Sequence, residues 1–187
     1  GQGDQIWVAA GTYPENIASK VIGETAVDVA LYGGFAGAET ALEQRDFTAY
    51  PTIIDGTQSG PVVSITHYAG LETRVDGFVI TNGTTGIRVF SAAPTITNNV
   101  IKGNSGPGIY CADYKIIGTS PPNVVFPIIT HNTIAENAAG NGAGIAVVGT
   151  QAINFLPSSA PVIAHNIIVR NTAGQNGGGI GSWGHAS

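Results

Sequence analysis

Short apolar runs broken by glycine, proline and asparagine make up most of the chain, and one such phrase returns twice with its spacing intact. Pro94-Thr95-Ile96-Thr97-Asn98-Asn99-Val100-Ile101-Lys102-Gly103-Asn104 is echoed by Pro127-Ile128-Ile129-Thr130-His131-Asn132-Thr133-Ile134-Ala135-Glu136-Asn137 and by Pro161-Val162-Ile163-Ala164-His165-Asn166-Ile167-Ile168-Val169-Arg170-Asn171. In all three, asparagine stands five residues after the proline, isoleucine seven and asparagine ten. Runs of similar texture precede them at Ile6-Trp7-Val8-Ala9-Ala10, Val29-Ala30-Leu31-Tyr32, Thr52-Ile53-Ile54-Asp55, Val62-Val63-Ser64-Ile65, Arg74 to Ile80 and Gly86-Ile87-Arg88-Val89. Short β-rich runs bounded by turn residues read as strands. The stretch from Ala36 to Tyr50 breaks the pattern, and Thr40-Ala41-Leu42-Glu43 has the form of a capping box, which predicts a short helix at about 40–47.

With the first asparagine of the phrase as a ruler, the equivalent positions are Gly11, Gly34, Gly56, Gly77, Asn99, Asn132 and Asn166, at steps of 23, 22, 21, 22, 33 and 34. A period near 22 that lengthens twice predicts an all-β solenoid of about seven coils, each too small to bury its own apolar face. Residues 1–187 then form one domain, with loop insertions at 111–126 and 148–160. One interior column should hold Val8, Leu31, Ile53, Val75, Ile96, Ile129 and Ile163, and another Val79, Ile101, Ile134 and Ile168. Glycine and asparagine suit the ruler position because they best tolerate positive φ. Stacked Asn99, Asn132 and Asn166, and likewise Asn104, Asn137 and Asn171, should hydrogen-bond from coil to coil.

Composition narrows the function classes. Charged residues are 10% of the chain, Lys and Arg number seven, and the net charge is −5. That balance removes the basic footprint of a nucleic-acid binder. No apolar stretch is long enough to span a bilayer. Cys111 is the single cysteine, so a thiolate metal site and an internal disulfide are excluded, and it reads as a packed residue. Neither end carries a leader or a capping helix, so the expectation is a fragment of a longer chain. If uncapped, such coil ends would associate into filaments.

The position before the ruler forms a less ordinary column of Gly33, Asp55, Asp76, Asn98, His131 and His165. Stacking would set Asp55 beside Asp76, where a bound Ca²⁺ would relieve like-charge repulsion, and His131 beside His165, a pair able to hold a transition metal. The competing reading gives these residues local turn hydrogen bonds. The two insertions fall on one edge, which makes Tyr110, Asp113, Tyr114, Lys115, Asn154 and Phe155 the candidate contact surface.

The Asn-x-Ile-x-x-Asn phrase followed by a glycine-rich strand, as in Asn166 to Ile180, resembles the right-handed parallel β-helix of the pectin lyase-like superfamily. It also resembles the GGA-I and F-x-x-N repeats of bacterial polymorphic outer-membrane proteins, with Ile134 or Ile168 in place of the phenylalanine. Trp7 to Asn16, with Leu31-Tyr32-Gly33-Gly34-Phe35 behind it, looks like the start of large secreted or surface-anchored bacterial β-helix proteins. The resemblance implies an extracellular or cell-surface solenoid. That superfamily includes enzymes acting on acidic polysaccharides, but their signatures are incomplete here. Gly11-Thr12-Tyr13-Pro14-Glu15 is similar to the early G-x-Y-x-E of pectin methylesterases without its Gln and Asp-Phe partners. Asp-Asp is absent, and Gly184-His185 lacks the second glycine of the polygalacturonase G-H-G. A pectate lyase-like site, needing acidic Ca²⁺ ligands and a basic proton acceptor, could draw only on Asp55, Asp76, Arg74 and Arg88. The sequence therefore favours a non-enzymatic module with a structural, adhesive or glycan-contacting role. A polysaccharide lyase or glycoside hydrolase is the alternative.

Overall fold

The computed structural model describes residues 4–18, 28–66, 72–112, 127–149 and 161–184. The chain winds through three faces in succession. The first coil carries β1 (Asp4–Ala9), β2 (Gly11–Pro14) and β3 (Ile17–Ala18), and the second β4 (Val29–Phe35), β5 (Thr52–Asp55) and β6 (Pro61–Thr66). The third carries β7 (Arg74–Asp76), β8 (Phe78–Thr81) and β9 (Thr85–Phe90), and the fourth β10 (Thr95–Thr97), β11 (Val100–Lys102) and β12 (Ile109–Ala112). The last two add a short extra strand each. They are β13 (Ile128–Thr130), β14 (Thr133–Ala135), β15 (Ala138–Asn141) and β16 (Ile145–Gly149), then β17 (Val162–Ala164), β18 (Ile167–Val169), β19 (Thr172–Asn176) and β20 (Ile180–Gly184).

Strands at the same place in successive coils pair in parallel, giving three sheets of six strands each and a two-stranded ribbon of β15 and β19. This is the expected parallel β-helix, with six coils among the described residues rather than about seven. The difference has a definite origin. Gly34 and Gly56 lie in the same coil, which detours through residues 36–51 between β4 and β5.

The expected positive φ is met at the ruler glycines Gly34 (94°) and Gly77 (83°), whereas the ruler asparagines Asn99, Asn132 and Asn166 each sit one residue past the turn. Positive φ falls at Gly77 (83°), Asn98 (56°), His131 (56°) and His165 (55°), at the corner between the first and second sheets. A second corner repeats it at Asn82 (59°), Gly103 (64°), Glu136 (58°) and Arg170 (54°). Asn99 and Asn132 instead lie just past the first corner with their side chains buried. The Nδ2 of Asn99 donates to Oδ1 of Asn132 at 3.0 Å, and Asn132 to Asn166 at 3.0 Å. Past the second corner, Asn104 donates to Asn137 at 2.9 Å and Asn137 to Asn171 at 3.0 Å. Each ladder continues back into coil three, where Asn99 Oδ1 accepts Phe78 N–H and Asn104 Oδ1 accepts Gly83 N–H. The chain must turn sharply at these corners, and the amides satisfy backbone groups that the turn takes out of the sheets.

The core runs along the axis. Leu31, Val75, Ile96, Ile129 and Ile163 align in the first sheet, and Ile54, Ile80, Ile101, Ile134 and Ile168 in the second. Val63, Ile87, Ile109, Ile145 and Ile180 form the third column. Three expected members shift. Ile6, not Val8, pairs with Leu31, and past Trp7 a bulge shifts the register, although Val8 still packs on the core. Ile53 and Val79 pair with each other and are only partly buried, while their neighbours Ile54 and Ile80 are 2% and 0% exposed. Since strand side chains alternate, a slip of one residue moves a column to the opposite face. Each fully buried isoleucine contributes about 1.5–3 kcal/mol. Cys111 lies in this core, fully buried.

The detour at 36–51 carries one 3-10 turn, Leu42–Gln44, within the expected helical stretch. Gln44 rather than Glu43 completes its start, since Gln44 Oε1 accepts the amides of Thr40 and Ala41. The Glu39 carboxylate gathers three more amides, from Ala36, Gly37 and Ala38. Together these side chains supply the partners that so short an irregular segment cannot supply to itself.

Candidate functional site

Of the acidic and basic residues singled out in the sequence, only Arg74 and Asp76 come together. Asp76 pairs in register with Tyr32 and Thr97 in the first sheet, and Asp55 with Pro14 and Thr81 in the second. The expected stacking of the two carboxylates, and the Ca²⁺ site built on it, is therefore corrected: the ruler had equated positions on different corners. Asp76 is 2% exposed and held by three side chains. Arg45 Nη2 donates to Oδ1 at 2.8 Å, Arg74 Nε to Oδ2 at 2.9 Å, and Asn98 Nδ2 to Oδ1 at 2.9 Å. Arg45 also reaches the carbonyls of Gly33 and Asp76 and lies over the rings of Tyr32 and Phe47. This clasp fastens the detour of coil two onto coil three. Asp55 organises a turn, its Oδ1 accepting Thr57 N–H at 2.9 Å and Asn82 Nδ2 at 2.7 Å.

Arg74 is thus committed to Asp76. Arg88 stands in the third sheet, its guanidinium 5.2 Å from the centre of the Phe90 ring. Asp55, Asp76, Arg74 and Arg88 are dispersed over all three sheets, and the alternative catalytic set does not assemble. Tyr110 is half-buried on β12, beside Arg88 and Ala146. Asp113, Tyr114, Lys115, Asn154 and Phe155 lie outside the described residues.

The histidine pair does form. The rings of His131 and His165 stack with centroids 5.1 Å apart and planes 22° from parallel. Both side chains are exposed, and both residues occupy the left-handed corner. No group of three or more His, Cys, Asp or Glu suited to a metal ion occurs among the described residues.

A feature without a local signal in the sequence is a groove of about 540 Å³ at the last coil, lined by Asn141, Gln175, Asn176, Ile180, Gly181 and Trp183 among others. None of its described lining residues carries a charge. The ribbon of β15 and β19 brings the amides together. Asn141 Nδ2 donates to Gln175 Oε1 at 3.0 Å, and Asn141 Oδ1 accepts Asn176 N–H at 3.1 Å. Ile145 and Val147 face the core, so alternation turns Trp183, the partner of Val148, outward. Its ring lies over Gly181, where an added Cβ would meet Trp183 Cζ3 and Gly142 backbone at 2.9 Å.

A family described as the right-handed β-helix region matches residues 52–187. No curated protein and no solved structure matches the chain.

Proposed function

Because the chain belongs to the right-handed β-helix family, we propose that it is a non-enzymatic solenoid module of an extracellular or cell-surface protein, with a structural and glycan-contacting role. The observation that carries this reading is the commitment of Asp76 and Arg74 to the clasp with Arg45. A catalytic carboxylate or base needs access to substrate and freedom to exchange a proton, and a carboxylate enclosed by two guanidiniums has neither. The dispersal of Asp55 and Arg88 onto other sheets points the same way. The last coil supplies a groove with uncharged described lining residues and an exposed aromatic ring, an arrangement better suited to contact than to proton transfer.

Association through the coil ends belongs to the same proposal. Ile180, the last member of the third interior column, is 47% exposed at one end of the stack, and Ile6, in register with Leu31, is 49% exposed at the other. Further coils or a second copy would cover them. Co-sedimentation of the purified chain with insoluble plant and bacterial cell-wall polysaccharides tests the contact role. Retention in the pellet, with no shortening of the polymer, is the expected result. Polymer breakdown would overturn it.

A further inference from the structure

We infer that the groove beside Trp183 is a subsite for an uncharged sugar residue of a glycan chain. The inference rests on the glycan-contacting part of the proposed function and specifies its place and ligand class. Three properties of the groove carry it.

The first is the platform. Trp183 is 40% exposed on β20, the edge strand of the third sheet, which pairs with β16. An indole face held in this way offers a flat apolar surface to the C–H face of a pyranose ring while its edge stays wet. Gly181 beneath it leaves the room that any side chain would fill.

The second is the polar rim. Asn141, Gln175 and Asn176 orient one another through hydrogen bonds. The Nε2 of Gln175 has no partner among the described residues, and each amide nitrogen carries two N–H groups. Donors and acceptors therefore stand side by side, as vicinal hydroxyls require of a partner. Because the amides are already fixed by one another, little side-chain entropy is lost on binding.

The third is that the described lining residues are all uncharged. A uronate carboxylate placed here would lose hydration and find no cation in return, a cost that neutral hydroxyls escape. A volume of about 540 Å³ falls within the range of small-ligand sites, about 300–1,000 Å³.

The test is affinity electrophoresis of the whole chain in gels containing galactomannan, xyloglucan or soluble starch, against gels containing polygalacturonate or alginate. Retardation by at least one neutral polymer is expected, falling tenfold or more in apparent affinity in Trp183→Ala. Trp183→Phe should keep much of it, and Trp7→Ala, with its ring at the far end, should behave as the parent. Circular dichroism checks that each variant is folded. Retardation undiminished in Trp183→Ala would overturn the subsite while leaving the glycan-contacting role standing. Retardation by acidic polymers alone would overturn the neutral ligand class. No retardation by any polymer would overturn both the subsite and that role.

Discussion

Replacing Asn132 by alanine should remove more stability than its size suggests. The side chain is 1% exposed and makes five hydrogen bonds. Its Nδ2 donates to the carbonyls of Ile96 and Thr130 and to Asn166 Oδ1, each at 3.0 Å. Its Oδ1 accepts the backbone N–H and the Nδ2 of Asn99, both at 3.0 Å. After truncation, Asn99 Nδ2 keeps Val75 O and Asn166 Oδ1 keeps the backbone N–H of residue 132. The Asn99 N–H loses its partner in a buried place. One orphaned buried donor costs about 1–3 kcal/mol, and the other lost bonds about 0.5–1.5 kcal/mol each, less whatever relaxation recovers. A loss of about 3–5 kcal/mol is expected, a large share of the roughly 5–15 kcal/mol of a folded domain. His131→Asn is the matched control, an exposed neighbour given the residue that coil four carries at the same corner, and should change stability by under about 0.5 kcal/mol. Urea unfolding followed by far-UV circular dichroism and by tryptophan fluorescence measures both. A loss below about 1 kcal/mol for Asn132→Ala would refute the argument that the amide ladder holds the corner.

Asp76→Ala leaves Arg45, itself 12% exposed, without its carboxylate, and should destabilise by about 3–5 kcal/mol in thermal unfolding, as expected for one partner removed from a buried ion pair. Burial pushes the Cys111 thiol up to about 12, so at pH 8 only about one molecule in ten thousand is thiolate. Thiol reagents should label Cys111 in urea and leave the native protein unmodified over the same time. Because the folded value lies above the ordinary 9.0, stability from keeping this thiol neutral is full below pH 9 and is lost as pH rises towards 12. The amide of Ala36, with those of Glu39, Gly37 and Ala38, holds the Glu39 carboxyl below the usual carboxylate value of 4.5. The order it imposes on residues 36–38 is thus present above that value and lost as pH falls through the lowered one. Faster amide exchange there in acid, reproduced at neutral pH by Glu39→Gln, is the expected readout.

The threefold phrase made the solenoid legible, because a ladder of identical side chains needs the same residue at the same place in each coil. Asn99, Asn132 and Asn166 stack for that reason, and so do His131 and His165. The earlier coils were harder to read. Glycine marks both corners there, and the detour at 36–51 is almost as long as a coil, so Gly34 and Gly56 passed for successive turns. The same ambiguity puts Ile53 in place of Ile54, and the one-residue offset between Gly77 and Asn99 puts Val79 in place of Ile80. That ambiguity also places Asp55 and Asp76 on one column, although their strands belong to different sheets. Arg45 has no local signal in the sequence, since its value lies in reaching Asp76, 31 residues away. The groove had no local signature either. Asn141 and Gln175 meet only through the pairing of β15 with β19, and Trp183 comes from a third strand.

The most direct test of a solenoid that contacts glycan without cleaving it is an ultraviolet assay for unsaturated products. Polygalacturonate and alginate would each be incubated with the purified chain in the presence of Ca²⁺. No unsaturated ends above the protein-free rate are expected, because Arg74 and Asp76 are locked together and Asp55 and Arg88 lie on other sheets. Ca²⁺-dependent release, abolished in Arg74→Ala or Asp76→Asn variants that remain folded, would contradict the account.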